Sequence, residues 1–244
     1  MFVEYSAQTK HEVIKKNKFE TMKNESYYNI NDLITTLDRY YNIAPQQTSN
    51  APLFELVLTL LSQHTSDHNS GRAMNQLINR FNSWEEIIHA PLQNIEDAIR
   101  PGGLAPTKSK RLQKLLIEVK NRQPDWNLNF LRDMSIVDAK EWLTSLPGIG
   151  PKTAACVLLF ALNIPALPVD THVGRVSKRL GLANNNLSND DLHDVLEKMI
   201  QPKQIYLFHM SLIQHGRRIC HSRKPKCNKC PLLKNCPQID VTID

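Results

Sequence analysis

The amino-acid sequence predicts an all-α protein. Apolar residues recur three and four positions apart along most of the chain, as on the buried face of a helix. Alternation of the kind a half-buried strand needs is hard to find anywhere, and eight glycines in 244 residues supply few hairpin turns. Polar capping residues stand ahead of several apolar runs and mark where helices begin.

Residues 1–27 carry lysines at 10, 15, 16, 18 and 23 with little apolar periodicity. They read as a basic, flexible tail, either a solvated appendage or extra attraction to a polyanion. Ile30, Leu33, Ile34, Leu37 and Tyr41 share one face of the first helix. Pro52 opens the second, which is apolar nearly all round with Glu55 the exception, as a central core helix is. It ends in an abrupt polar turn, Ser62-Gln-His-Thr-Ser-Asp67, where Ser66 or Asp67 caps the next helix, expected to run through Phe81. Ser83 and Glu86 have capping-box spacing ahead of Ile87 and Ile88. A short helix bearing Ile95, Ala98 and Ile99 stops at Pro101-Gly-Gly103. Leu104 follows, and a leucine there either tucks back into the core or stands out as a wedge for a base stack. Lys108, Lys110, Arg111 and Lys114 are expected to solvate a helix whose inner face is Leu112, Leu115, Leu116 and Val119. Ser135 then caps a helix that buries Ala139, Trp142 and Leu143.

Between this helix and the next lies Pro147-Gly-Ile-Gly150. Both glycines can take φ > 0 and bare their amides to a ligand. Pro151 suits a first helical position, and a Gly-x-Gly turn at a helix start suits a phosphate. The helix buries Ala154, Val157, Leu158 and Ala161, and Cys156 reads as a core thiol. Lys152 stands behind the turn, and Asp170 follows an apolar segment just ahead of another helix. Taken singly, Lys152 reads as a phosphate contact and Asp170 as an N-cap; taken together they are a candidate nucleophile and its partner. The helix after Asp170 stops at Gly181, a good C′ residue. Ser188 and Asp191 form a second capping box, ahead of Val195, Leu196, Met199 and Ile200. The last long helix shows Ile205, Phe208, Leu212 and Ile213 on one face and is expected to end at Gly216, with His209 a hydrogen-bonded core residue on the same stripe.

A formal charge of +6 and a pI near 9.0 favour a polyanionic partner. No apolar run approaches the ~18 residues of a membrane helix. The N-terminus lacks a charged leader with a long apolar stretch, so an intracellular protein without a signal peptide is expected. Four of the five cysteines fall in the last 25 residues with the spacing C-x6-C-x2-C-x5-C, at Cys220, Cys227, Cys230 and Cys236. Four thiolates so close together need a cation. Zinc would meet that need, but its structural sites usually pair ligands in two close knuckles, which a six-residue first gap does not provide. No acidic residue occurs from Gln214 through Cys236, and Arg223, Lys224 and Lys226 make the first interval a basic loop suited to phosphates.

Leu146-Pro-Gly-Ile-Gly-Pro-Lys-Thr-Ala154, then Val169-Asp-Thr-His-Val-Gly-Arg-Val176, together with this cysteine spacing, resembles the endonuclease III family of DNA glycosylases over about residues 30–236. The resemblance implies two helical domains flanking a DNA-binding cleft: a six-helix domain with the helix-hairpin-helix over 45–164, and a cluster domain from 28–44 and 165–244. It implies a [4Fe–4S] cluster on the four cysteines, structural or redox-sensing rather than catalytic. It implies a monomer acting on damaged double-stranded DNA. Lys152 would attack the sugar C1′ of an extruded nucleotide, release an oxidised pyrimidine and nick the strand through a Schiff base, with Asp170 as its partner. Gly148 and Gly150 would hold a phosphate, Leu104 would be the wedge, and Gln63 or His64 would meet the gap left by the base. Relatives commonly carry glutamine at the position of His64, so the role passes to either residue. His172 orients a phosphate or packs beneath the site. Two rivals stand beside this reading. One is a mismatch glycosylase for thymine or uracil on the same fold; the other is a non-catalytic DNA-binding module, which has no need of Lys152 paired with Asp170.

Overall fold

The computed structural model describes residues 28–242, so the basic stretch 1–27 lies outside it. Among the described residues the chain is all-helical and contains no strand. The helices are α1 (Ile30–Tyr41), α2 (Pro52–Ser62), α3 (Asp67–Arg80), α4 (Trp84–His89), α5 (Leu92–Ile99), α6 (Ala105–Arg122), α7 (Ile136–Thr144), α8 (Pro151–Cys156), α9 (Thr171–Arg179), α10 (Asn189–Glu197) and α11 (Ile205–Arg218). None is long and apolar enough to cross a membrane.

Most starts are set by short polar side chains that accept a first-turn amide, which offsets the loss of hydration there. Ser66 Oγ accepts from Asn69 N at 3.3 Å, Ser135 Oγ from Asp138 N at 3.1 Å, and Ser188 and Asp191 close a reciprocal capping box. Ser83 Oγ accepts from Glu86 N at 3.2 Å, but the Glu86 carboxylate bonds Asn82 N at 2.8 Å instead of Ser83 N, so that box is displaced by one residue. α3 ends at Arg80 and Phe81 is its C-cap.

The side chains gather in two cores. The first is built on α2, packed against α3, α6, α8 and the turn that follows α8, with Leu56, Val57, Leu60 and Leu61 inaccessible. The second joins Leu33, Ile34 and Leu37 of α1 to α9, α10 and α11, around Phe208. α1 thus packs with the last third of the chain, a pairing that no local pattern specifies. The segment that follows α8 lies between the two cores: Leu158 belongs to the first and Leu159 to the second. Glu197 clamps the junction, pairing with Lys140 Nζ at 2.5 Å and accepting from Leu167 N at 2.6 Å.

After Cys156 the helix loosens into a π turn over Val157–Ala161. The carbonyls this frees are taken up from outside. Gln46 Nε2 donates to Leu159 O at 2.8 Å, Ser49 N to Phe160 O at 3.0 Å, and Arg132 to the Ala161 and Leu162 carbonyls. A widened turn is tolerated where side chains and loop amides supply the missing partners.

Three expectations are corrected. Gly216 does not end the last helix, which continues to Arg218. It is the point where α9 crosses α11: a Cβ there would lie 2.9 Å from His172 Cβ and 3.0 Å from His172 Nδ1. Lys108 does not solvate α6; it is 2 % exposed. Trp142 is half-buried, packed edge-on against Phe130.

Candidate functional site

The hairpin joins α7 to α8 through residues 145–150. Gly148 takes φ +79, which a side chain would strain, whereas Gly150 is extended with φ −100 and serves as N-cap of α8. Only one of the two glycines therefore uses positive φ. A Cβ on Gly150 would meet nothing within 4 Å, so the turn is open on that side. Among the described residues neither the Gly148 nor the Gly150 amide has a hydrogen-bond partner. Unpartnered amides at a helix start suit a phosphate oxygen.

Lys152 follows on the first turn of α8 and is half-buried. Asp170 is the N-cap of α9, and its Oδ1 accepts from His172 N at 2.9 Å and Val173 N at 2.8 Å. The cap uses Oδ1 alone. Cys156, one turn past Lys152, and His209 of α11 are both buried. Burial pushes the Cys156 thiol up to about 11, with the Lys152 charge opposing the rise and Glu55 and Asp170 adding to it. Burial pulls His209 down to about 4 against the charge of Asp170. Its Nδ1 lies 2.9 Å from Pro168 O, so the neutral ring donates there and turns its Nε2 lone pair elsewhere. The charges of Lys152 and Asp170 are both felt at the buried Cys156 and His209, so the two sequence-distant residues lie in one region of the fold.

Glu55 belongs to the same neighbourhood and was not among the predicted site residues. Burial raises its carboxyl above the usual range, while the Thr59 hydroxyl at 3.3 Å and the charge of Lys152 work the other way. The signal was present in the sequence. A single carboxylate on a helix apolar all round either costs stability or is kept for its chemistry.

The other expected residues fall on separate segments. Gln63 is half-buried, with Arg111 Nη1 at 3.5 Å from its Oε1, and His64 is exposed at φ +55. Leu104 does not tuck back: it is 57 % exposed at φ +50. His172 accepts at Nδ1 from Arg175 Nη2 at 3.1 Å, and burial holds its pKa low. Arg175 goes on to Gly216 O at 3.0 Å and Cys220 O at 3.1 Å, tying α9 to the cysteine loop. Arg223, Lys224 and Lys226 are exposed on that loop.

Cys220, Cys227, Cys230 and Cys236 line one cavity with Arg179 and His215. The sulfurs surround this space, and among the described residues no three His, Cys, Asp or Glu side chains converge as a single metal ion would require. Burial pushes Cys230 up to about 11, and the other three cysteines add to the rise. Cys227 and Cys236 move the same way, also from burial first. Four cysteines lining one apolar cavity are the candidate ligands for a metal centre. The rim is polar. Arg179 Nη1 donates to His221 O at 2.6 Å and lies 3.4 Å from Cys220 Sγ, its Nη2 donates to Ser222 O at 3.1 Å, and His215 Nε2 lies 3.5 Å from Cys230 Sγ.

Residues 57–202 match the HhH-GPD superfamily base excision DNA repair protein family. This chain belongs to that family. It is similar to a provisionally named DNA glycosylase of Arabidopsis thaliana (35 % identical over 188 residues, 73 % of this chain and 64 % of that one). It is also similar to endonuclease III of Rickettsia prowazekii (37 % identical over 182 residues, 74 % of this chain and 81 % of that one). Among solved structures it resembles a trapped endonuclease III–DNA covalent intermediate, with TM-score 0.73 and 29 % identity, over 86 % of this chain and 94 % of that one. The HhH-GPD chain described here is therefore an endonuclease III-like DNA glycosylase of base excision repair.

Proposed function

We propose that the substrate is an oxidised pyrimidine in duplex DNA and that Lys152 is the nucleophile that removes it and opens the strand. The observation that carries this reading is that the charges of Lys152 and Asp170 are both felt at Cys156 and His209, at the seam of the two cores. Lys152 Nζ forms a bond to C1′ as the N-glycosidic bond breaks, and the electron pair leaves with the base, which takes a proton. The sugar ring opens to an iminium, a C2′ proton is lost, and the 3′ C–O bond breaks. Asp170 accepts the ammonium proton or stabilises the positive charge that grows on the sugar. Its free Oδ2 suits either task, because Oδ1 is occupied by the helix cap. The unpartnered amides at Gly148 and Gly150 suit the neighbouring phosphate.

On this reading the two cores are two domains, 45–164 and 28–44 with 165–244, and a duplex lies between them against one copy of the chain. Gln63, His64 and Leu104 meet the duplex from the first; His172, Arg223, Lys224 and Lys226 meet it from the second. Cys220, Cys227, Cys230 and Cys236 would hold a [4Fe–4S] cluster, which supplies charge compensation to four thiolates and a fixed frame for the basic loop. Arg179 holds that loop at His221 and Ser222.

Borohydride trapping on a duplex containing thymine glycol tests the proposal. Wild type should form a covalent adduct, Lys152→Ala none, and Asp170→Asn far less. Trapping on an abasic duplex but not on thymine glycol would reject the oxidised-pyrimidine assignment, and trapping by Lys152→Ala would reject the nucleophile.

A further inference from the structure

Lys108 is buried without an anionic partner. It is 2 % exposed, while Lys110, Arg111 and Lys114 on the same helix are exposed. Its Nζ donates to Leu61 O at 2.6 Å and to Gly102 O at 2.8 Å. No ion pair found among the described residues includes it. Taking an ammonium out of water is costly, and a methionine would fill the same space at no such cost. The two acceptors show what the charge does there.

Leu61 O belongs to the last turn of α2, whose carbonyl end attracts a cation. Gly102 O belongs to the tight turn after α5. Just beyond each acceptor the backbone enters the left-handed region, at His64 (φ +55) and at Gly103 and Leu104 (φ +68 and +50). One ammonium therefore joins the bases of the two protruding loops. The Lys108 amide donates to Leu104 O at 2.9 Å, so the same residue also holds the second loop by its backbone. That turn is packed down hard: a Cβ on Gly102 would lie 3.1 Å from Ala73 Cβ. One helical turn along, Arg111 reaches Gln63 of the first loop.

We propose that Lys108 is a positioning residue that locks residues 62–66 and 102–104 into a single rigid probe, so that both loops enter a duplex together. This rests on the reading of Gln63, His64 and Leu104 as duplex contacts. Extruding a nucleotide requires one side chain to part the stack while another occupies the gap. Two loops fixed on one ammonium arrive at their correct separation, whereas two independent loops must each be ordered on the DNA.

The test compares wild type, Lys108→Met and Leu104→Ala in the full chain, by single-turnover borohydride trapping on a thymine glycol duplex and on a single-stranded abasic oligonucleotide. The single strand presents C1′ without extrusion. Lys108→Met should trap at least tenfold more slowly on the duplex lesion and within twofold of wild type on the single strand. The Lys108→Met/Leu104→Ala double variant should be no worse than the poorer single variant. Equal losses on both substrates, no loss on either, or fully multiplicative losses in the double variant would each overturn the proposal. Should Lys108→Met not fold, Gly102→Ala decides: it displaces the same turn from Ala73 and should show the same duplex-only defect, and an undiminished duplex rate would refute the coupling. Absence of trapping by wild type on every substrate would instead refute the glycosylase–lyase reading, and a normal duplex rate for Leu104→Ala would refute the loop reading beneath this proposal.

Discussion

Gly216→Ala and Gly71→Ala are the same substitution in two helices, and the structure gives them opposite signs. Replacing a mid-helix glycine by alanine gains about 0.8–1.0 kcal/mol from backbone entropy alone. At Gly71 of α3 an added Cβ meets nothing within 4 Å, so the full gain of about 1 kcal/mol should appear. At Gly216 the same Cβ would sit 2.9 Å from His172 Cβ, 3.0 Å from His172 Nδ1 and 3.1 Å from Arg175 Nη2. His172 Cβ is fixed to the α9 backbone and cannot swing aside, so α9 itself must move. Overpacking of this kind costs about 1–3 kcal/mol, which outweighs the propensity gain and leaves a net loss of up to about 2 kcal/mol. In thermal melts the two variants should separate by several degrees, at about 2–4 °C per kcal/mol for a chain of this length. The displacement also moves Asp170, the cap of α9, so single-turnover excision by Gly216→Ala should fall on the order of tenfold. Gly71→Ala should leave excision unchanged. A Gly216→Ala protein that melts above wild type with undiminished excision would refute the argument that α9 and α11 touch at this glycine.

Arg179→Met removes the donors to His221 O and Ser222 O and should destabilise the chain by about 2 kcal/mol, since hydrogen bonds from a charged group are worth about 1.5–3 kcal/mol and these two are part-exposed and not additive. Amide exchange in residues 219–226 should accelerate in this variant, and unchanged protection would count against it. His209 stays neutral in the fold down to about 4 against an ordinary 6.5, so the unfolded chain takes up this proton first. Stability is therefore full above about 6.5 and falls as pH drops towards 4, by about 1.4 kcal/mol per unit from this group. Urea midpoints measured across that window should flatten in His209→Asn, and an equally steep profile would exclude His209 as the source. Glu55→Gln removes a largely buried carboxylate that interacts with the charge of Lys152, so single-turnover trapping should change several-fold in rate while duplex affinity stays the same. A trapping profile superimposable on wild type would place Glu55 outside the reaction.

Helix identity, most helix starts and the chemistry-bearing motifs were legible in the sequence because each is written in adjacent residues. Ser66, Ser135 and Ser188 cap as their side chains dictate, and the Leu-Pro-Gly-Ile-Gly turn folds by its own torsions. What lies between elements was not legible. Lys108 reads as one surface cation among four, and only the meeting of α2 with the turn at Gly102 makes it a buried cross-link. Gly216 reads as a terminator because glycine usually is one, while its reason is a helix 44 residues earlier in the chain, at His172. Glu55 is an anomaly in an apolar helix until α8 lays Lys152 within reach of its charge. Periodicity and capping are local energies that depend on spacing along the chain. Which carboxylate faces which lysine depends on how two cores pack, and that free energy belongs to surfaces brought together from residues far apart.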